Sequence, residues 1–141
     1  MAELRWSERL EVGVGSIDDG HHGLAALIDA LERAVSRGED PREVQDLLVR
    51  LVGETRDHFA VEEQLMDAYV FPGRAAHVKE HARLLQEVAS LLGDHATRHR
   101  RLTTEMARSL GKSFMDHIQR RDLPLGGYLR GRQSGGDDPQ L

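Results

Sequence analysis

At 141 residues and 15.8 kDa, with 39 % hydrophobic residues, the chain has the size of one domain built on a single core. Its net charge of −5 comes from interleaved acids and bases, which excludes the basic face of a nucleic-acid binder. Cysteine is absent, so disulfide frameworks, thiolate-held zinc and iron–sulfur clusters are excluded, and no apolar run approaches the roughly 20 residues of a bilayer span.

The first six residues, Met1-Ala2-Glu3-Leu4-Arg5-Trp6, lack the apolar stretch of a signal peptide, and the expectation is a cytoplasmic protein with no membrane insertion. Leu, Ala, Glu and Arg dominate while β-branched and aromatic residues are sparse, a mix that favours helix over sheet. The predicted fold is all-α: an up-down-up-down four-helix bundle with an irregular N-terminal arm.

Gly13 and Gly15 interrupt residues 1–17, which are expected to form that arm. Asp18 or Asp19 can cap a first helix over about residues 19–37, with His21, Leu24, Ile28, Leu31 and Val35 stepping 3-4-3-4 along one face. Asp40-Pro41-Arg42-Glu43 then reads as N-cap, N1 proline and N3 glutamate. The helix it starts should run to about Ala68, with Val44, Leu47, Leu51, Thr55, His58, Glu62 and Leu65 inside.

Phe71-Pro72-Gly73 predicts a turn. A third helix over about 74–92 carries His77, His81, Leu84, Leu85, Val88 and Leu92, with Gly93 as its C′ residue. A fourth, over about 97–120, presents Leu102, Met106, Leu110, Phe114 and His117. Residues 1–130 are expected to form the domain. The composition of residues 131–141 predicts a disordered tail.

Five histidines and two carboxylates recur on the inward faces: His21, His58 with Glu62, His77 with His81, and His117 followed by Asp122. His58/Glu62 and His77/His81 are i,i+4 pairs, so each pair can reach one centre. A lone buried histidine is more often a packing residue than a ligand. Two pairs and a histidine on each remaining helix shift that balance, because burying so many polar groups without compensation costs several kcal/mol.

Heptad phase separates the doublets. His21 continues into Leu24 and Ile28, whereas His22 continues into Ala25, Ala26 and Asp29 and is expected to be solvated. Glu62 shares a face with Thr55 and His58, while Glu63 lies about 100° away. His95 and His99 sit in a polar stretch and read as surface residues. Asp122, five residues beyond His117 where Leu123-Pro124 is expected to end the helix, is open between a surface acid and a bridging ligand.

Imidazole suits Zn, Cu, Fe and Ni, and a structural zinc would want only four ligands. Seven ligands, two of them carboxylates free to bridge, fit two octahedral first-row ions instead. With a bridging oxygen between the ions, one coordination position stays open for a small molecule.

Four stretches carry a family resemblance: Val14-Gly15-Ser16-Ile17-Asp18-Asp19-Gly20-His21, His58-Phe59-Ala60-Val61-Glu62-Glu63-Gln64-Leu65-Met66, His77-Val78-Lys79-Glu80-His81 and His117-Ile118-Gln119-Arg120-Arg121-Asp122. In these the chain resembles the bacterial hemerythrins. The resemblance implies a hemerythrin-like domain holding two iron ions, oxo- or hydroxo-bridged, that takes up O2 reversibly. By the same resemblance His77, His81 and His117 would hold one iron, His21 and His58 the other, and Glu62 and Asp122 would bridge them. Leu24, Phe59 and Met115 would line the oxygen pocket.

Two positions depart from the family pattern: Gly20 stands where Gln is usual, and Ser113 where bacterial members commonly carry Trp. The expected role is oxygen storage, delivery (oxygen transport) or sensing rather than enzymatic turnover, with O2 as ligand and an oxygen-consuming protein as the partner such a role would serve. Di-iron enzyme chemistry, peroxidase-like or nitric-oxide-related, is the alternative. A third reading is an interaction module whose surface responds to the ligand.

Overall fold

The computed structural model describes residues 10–97 and 101–134. Five α-helices account for most of these residues: α1 (Gly15–Ser36), α2 (Pro41–Ala68), α3 (Arg74–Thr97), α4 (Thr104–His117) and α5 (Leu123–Ser134), with a π-helical turn, Ile118–Asp122, joining α4 to α5. α1 packs on α2 and α4, α2 on α3, and α3 on α4, which closes the ring of a four-helix bundle.

α2 begins as expected, with Asp40 accepting from the Arg42 backbone N–H at 2.8 Å and Pro41 entering the first turn. α1 begins four residues earlier than predicted, and neither Asp18 nor Asp19 is its N-cap. Val14 holds that place without a side-chain cap. Asp18 lies inside the first turn and reaches back, accepting from Val12 N–H at 2.9 Å and Gly13 N–H at 3.1 Å. The carboxylate thereby fastens the arm to the helix, and Ile17 is buried beneath them.

The buried stripe of α2 also differs in detail. Leu48 and Met66 are fully buried, whereas Leu47 and Leu65 are only half-buried. Over a helix of 28 residues a 3.6-residue period drifts away from a fixed heptad, and the inward face drifts with it. α3 does not stop at Gly93. It continues to Thr97, whose hydroxyl donates to the Gly93 carbonyl at 2.6 Å. The fourth helix therefore starts later than expected, at Thr104, where Thr103 accepts from the Met106 N–H at 3.1 Å.

Leu123-Pro124 does not end the helical run. The Leu123 N–H bonds the Ile118 carbonyl, an i→i+5 contact, and α5 follows to Ser134. Pro124 sits just past this change of register, in the opening turn of α5, where a missing N–H is best tolerated. Residues 131–134 are thus helical although the tail was expected to begin at 131, and residues 135–141 lie outside the described residues.

Two apolar clusters form the core. One gathers Leu24, Ile28, Leu31, Leu48, Leu51, Leu84, Val88, Leu110 and Phe114. The other gathers Val12, Val14, Ile17, Met66, Tyr69, Leu125 and Leu129 at the opposite end. On α1, α2 and the α4–α5 run, the polar interior residues fall between the two clusters. α5 closes its end by close approach: a methyl group on Gly126 would overlap the Val12 carbonyl oxygen and come within 3.1 Å of the Val12 carbonyl carbon. The Arg130 guanidinium donates to the same Val12 oxygen at 2.8 Å.

Gly126→Ala is therefore expected to push the arm off α5 and destabilise the fold by about 1–3 kcal/mol, as overpacking does. A lowered urea midpoint would register it, and an unchanged midpoint would contradict this packing.

Candidate metal centre

His21, His58, Glu62, His77, His81, His117 and Asp122 are each 5 % exposed or less, and among the described residues only Glu32 and Thr55 join them as buried polar side chains. α1 supplies His21, α2 supplies His58 and Glu62, α3 supplies His77 and His81, and α4 with its π-turn supplies His117 and Asp122. Residues five apart on a regular α-helix point about 140° away from each other. The π-turn removes that offset, and His117 Nε2 comes to 3.1 Å from Asp122 Oδ1.

All five imidazoles turn Nε2 toward the two carboxylates. His21 Nε2 lies 2.8 Å from Asp122 Oδ2, and His58 Nε2 lies 2.6 Å from Glu62 Oε2. His77 and His81 reach Glu62 Oε1 at 3.0 and 2.9 Å, and His77 also reaches Asp122 Oδ1 at 2.9 Å. The donor atoms fall into two overlapping groups. Glu62, His77, His81, His117 and Asp122 form one, His21, His58, Glu62 and Asp122 the other, and within each group the atoms lie within 4.8 Å of one another. Glu62 and Asp122 belong to both.

These residues fit a metal better than they fit each other. His58 Nε2, His117 Nε2, Glu62 Oε2 and Asp122 Oδ1 are buried yet make no well-aligned hydrogen bond. Buried polar atoms are nearly always satisfied, so a convergent set of unsatisfied lone pairs is the signature of a cation site. Protons do part of that work here. Burial alone would lower the pKa of His21 and of His77, but hydrogen bonds to Asp122 and Glu62 outweigh it and raise each to about 9. Burial opposes ionisation of Glu62 and Asp122 too, and their imidazole neighbours hold both below the usual carboxylate range.

An outer layer steadies the rings. His81 Nδ1 is 2.9 Å from Glu63 Oε2, and its ring stacks on Phe59 at 3.8 Å with only 4° between the planes. Heptad phase had placed Glu63 off the inward face. It does lie off that face, but toward α3, where an imidazole with an inward Nε2 needs an acceptor at Nδ1. Glu80 stands 3.9 Å from His117 Nδ1, too far for a hydrogen bond.

Leu24 and Phe59 are buried in the first apolar cluster, whereas Met115 is half-buried and belongs to neither. Half-buried Ser113 donates to Glu87 on α3 at 3.2 Å. The His22 side chain is 50 % exposed, beside Glu11 at 3.9 Å. His95 is half-buried rather than fully solvated, and His99 lies outside the described residues.

The family described as the hemerythrin HHE cation binding domain matches residues 12–128. A bacteriohemerythrin of Pseudomonas paraeruginosa is 32 % identical over 89 residues, covering 63 % of this chain and 58 % of that protein, so the match spans less than two thirds of the relative's length. A bacteriohemerythrin of Stenotrophomonas maltophilia is 27 % identical over 147 aligned positions, covering 96 % of this chain and 93 % of the relative. A crystal structure of a leucine-to-phenylalanine mutant superposes with a TM-score of 0.84 at 25 % identity, over 90 % of this chain and 97 % of that one. With its four-helix bundle and its buried belt of histidines and carboxylates, the chain belongs to the hemerythrin family.

Proposed function

We propose that this chain binds O2 reversibly at a non-haem di-iron centre and serves oxygen storage, delivery or sensing rather than catalysis. The observation that carries the reading is the pair of ligand groups sharing Glu62 and Asp122. His77, His81 and His117 would hold one iron, His21 and His58 the other, and the shared carboxylates both. Iron there would supply the reducing electrons and the affinity for O2 that no side chain has.

The protein's own part is to hold those donors and keep the surroundings dry. The Nδ1–H of His81 donates to Glu63, which fixes the ring with its Nε2 lone pair inward and makes it a stronger donor. Phe59 covers the His81 ring, and Leu24 extends the apolar wall on α1. Five neutral imidazoles outnumber two carboxylates, and fewer anions favour high-valent iron less, which supports carriage over oxidation. No Glu-x-x-His pair of the ferritin-like di-iron kind occurs in the sequence. No described helix is long and apolar enough to cross a membrane.

Reconstituted with ferrous iron under argon, the protein should hold two irons per chain and gain a visible absorption band in air that disappears on deoxygenation. Irreversible bleaching with consumption of a reductant would favour the enzyme reading. His77→Ala should cut the iron content to about half and lower the thermal midpoint, because the remaining buried donors lose their shared ion.

The metal-free protein should respond to pH in its own way. His21 and His77 titrate near 9 instead of 6.5, so their ion pairs stabilise the fold fully below about pH 6.5 and cease to do so as pH rises through about 9. Its melting temperature should therefore fall from pH 6.5 to 10, and metal uptake at neutral pH should release protons. Calorimetry in two buffers of different ionisation enthalpy measures that release, and zero proton release would contradict this charge state.

A further inference from the structure

The five inward imidazoles are not held alike. His81 is fixed on both sides, by Glu63 at Nδ1 and by the Phe59 face. His58 has neither support. Its Nδ1 is buried with no hydrogen-bond partner, and its nearest ring neighbours, His21 at 4.7 Å and Phe59 at 6.0 Å, are tilted rather than stacked. On its outer side the His58 ring lies against the backbone of α1 at Gly20. A methyl group built on Gly20 would overlap His58 Nδ1 and stand 2.8 Å from Cε1 and 3.0 Å from Cγ.

The missing side chain at position 20 leaves room for that ring. A larger side chain could not occupy position 20 with His58 where it is. In return the outer, Nδ1 side of the ring receives packing and no hydrogen bond, so apart from the 2.6 Å approach of Nε2 to Glu62 Oε2 only the contact with α1 orients it. His77 Nδ1 and His117 Nδ1 also lack hydrogen-bond partners, but His77 Nε2 meets both carboxylates and both residues belong to the group of five donors, whereas the His58 group has four.

We propose that Gly20 is a positioning residue for His58, and that its bare backbone makes the His21–His58 half of the centre the more labile of the two. The inference rests on the two-ion reading given above. It adds a division of labour: a tightly caged half around His77, His81 and His117, and an exchangeable half whose donor geometry is set by the contact between α1 and His58.

Release of ferrous iron tests this on the full chain, loaded with ferrous iron alone under argon and challenged with a chromogenic ferrous chelator. The wild type should release its iron in two phases of equal amplitude, their rates at least tenfold apart. Gly20→Ala should accelerate the fast phase at least tenfold and leave the slow one within about twofold. His58→Ala should abolish the fast amplitude alone, and Glu63→Gln should accelerate the slow phase alone.

Two irons leaving in a single phase would overturn the inference while leaving the two-ion reading intact, and so would a fast phase indifferent to Gly20→Ala in a variant of unchanged helicity. Should the alanine variant not fold, the wild-type phases and the His58→Ala and Glu63→Gln amplitudes decide the matter. Fewer than two irons bound by the wild type would overturn both.

Discussion

Two fully buried carboxylates at the meeting point of four helices set the terms for this protein. Glu62 and Asp122 have no exposure to water, and an ionised carboxylate in that position is stable only if neighbouring groups replace its hydration. Imidazoles do so from every side. The metal-free chain supports the arrangement by drawing protons onto His21 and His77, and a cation between the lone pairs does the same with more charge. The site and the fold are therefore not separable. Among the described residues, the groups that would bind metal are seven of the nine buried polar side chains, Glu32 and Thr55 being the others, and any change there is felt as stability.

Much of this was legible in the sequence because helical periodicity is a strong signal. The i,i+4 pairs His58/Glu62 and His77/His81 and the phase that separates His21 from His22 follow from 3.6 residues per turn, and the structure brings all seven inward residues together. Where periodicity breaks, legibility ends. Asp122 could not be placed by phase, because a π-turn shifts the register between it and His117, and Pro124 read as a stop rather than as the start of α5. Glu63 was set aside because phase describes what faces the core, while its partner, His81 Nδ1, lies at the rim. The start of α1 was misplaced for a related reason. Asp18 looks like a cap, and it satisfies donors of the arm from one turn inside the helix.

Clusters of apolar residues on either side keep the polar belt narrow. Towards one end Leu24, Leu51, Leu84 and Phe114 follow the donors on α1, α2, α3 and α4, and towards the other Ile17, Met66 and Leu125 do so. The belt is one or two helical turns deep, enough to hold both overlapping groups of donors. Beyond it the chain returns to ordinary core within three or four residues on both sides of His21 and after Glu62, whereas before His58 the buried Thr55 intervenes and Leu51 lies seven residues away. That economy explains why a chain of 141 residues can bury seven strongly polar side chains and still retain an apolar interior.

The π-turn makes α5 part of the same construction. Bringing Asp122 inward requires one extra residue in the turn, and an isolated π-turn at a free helix end would fray because its hydrogen bonds are longer in register and poorer in geometry. α5 prevents that. Leu125 and Leu129 are fully buried beside Val12, Ile17 and Met66, Tyr128 donates to the Tyr69 carbonyl at 2.8 Å, and Arg130 holds the arm. The apolar burial of the last helix is thus the counterweight to an unfavourable backbone geometry one turn earlier. The N-terminal arm enters through the same contacts, since Val12 lies against Gly126 and is tied by Asp18 to α1, the helix that carries His21. Both ends of the described chain converge on one task, which is to keep a carboxylate aimed at a place no regular helix would point it.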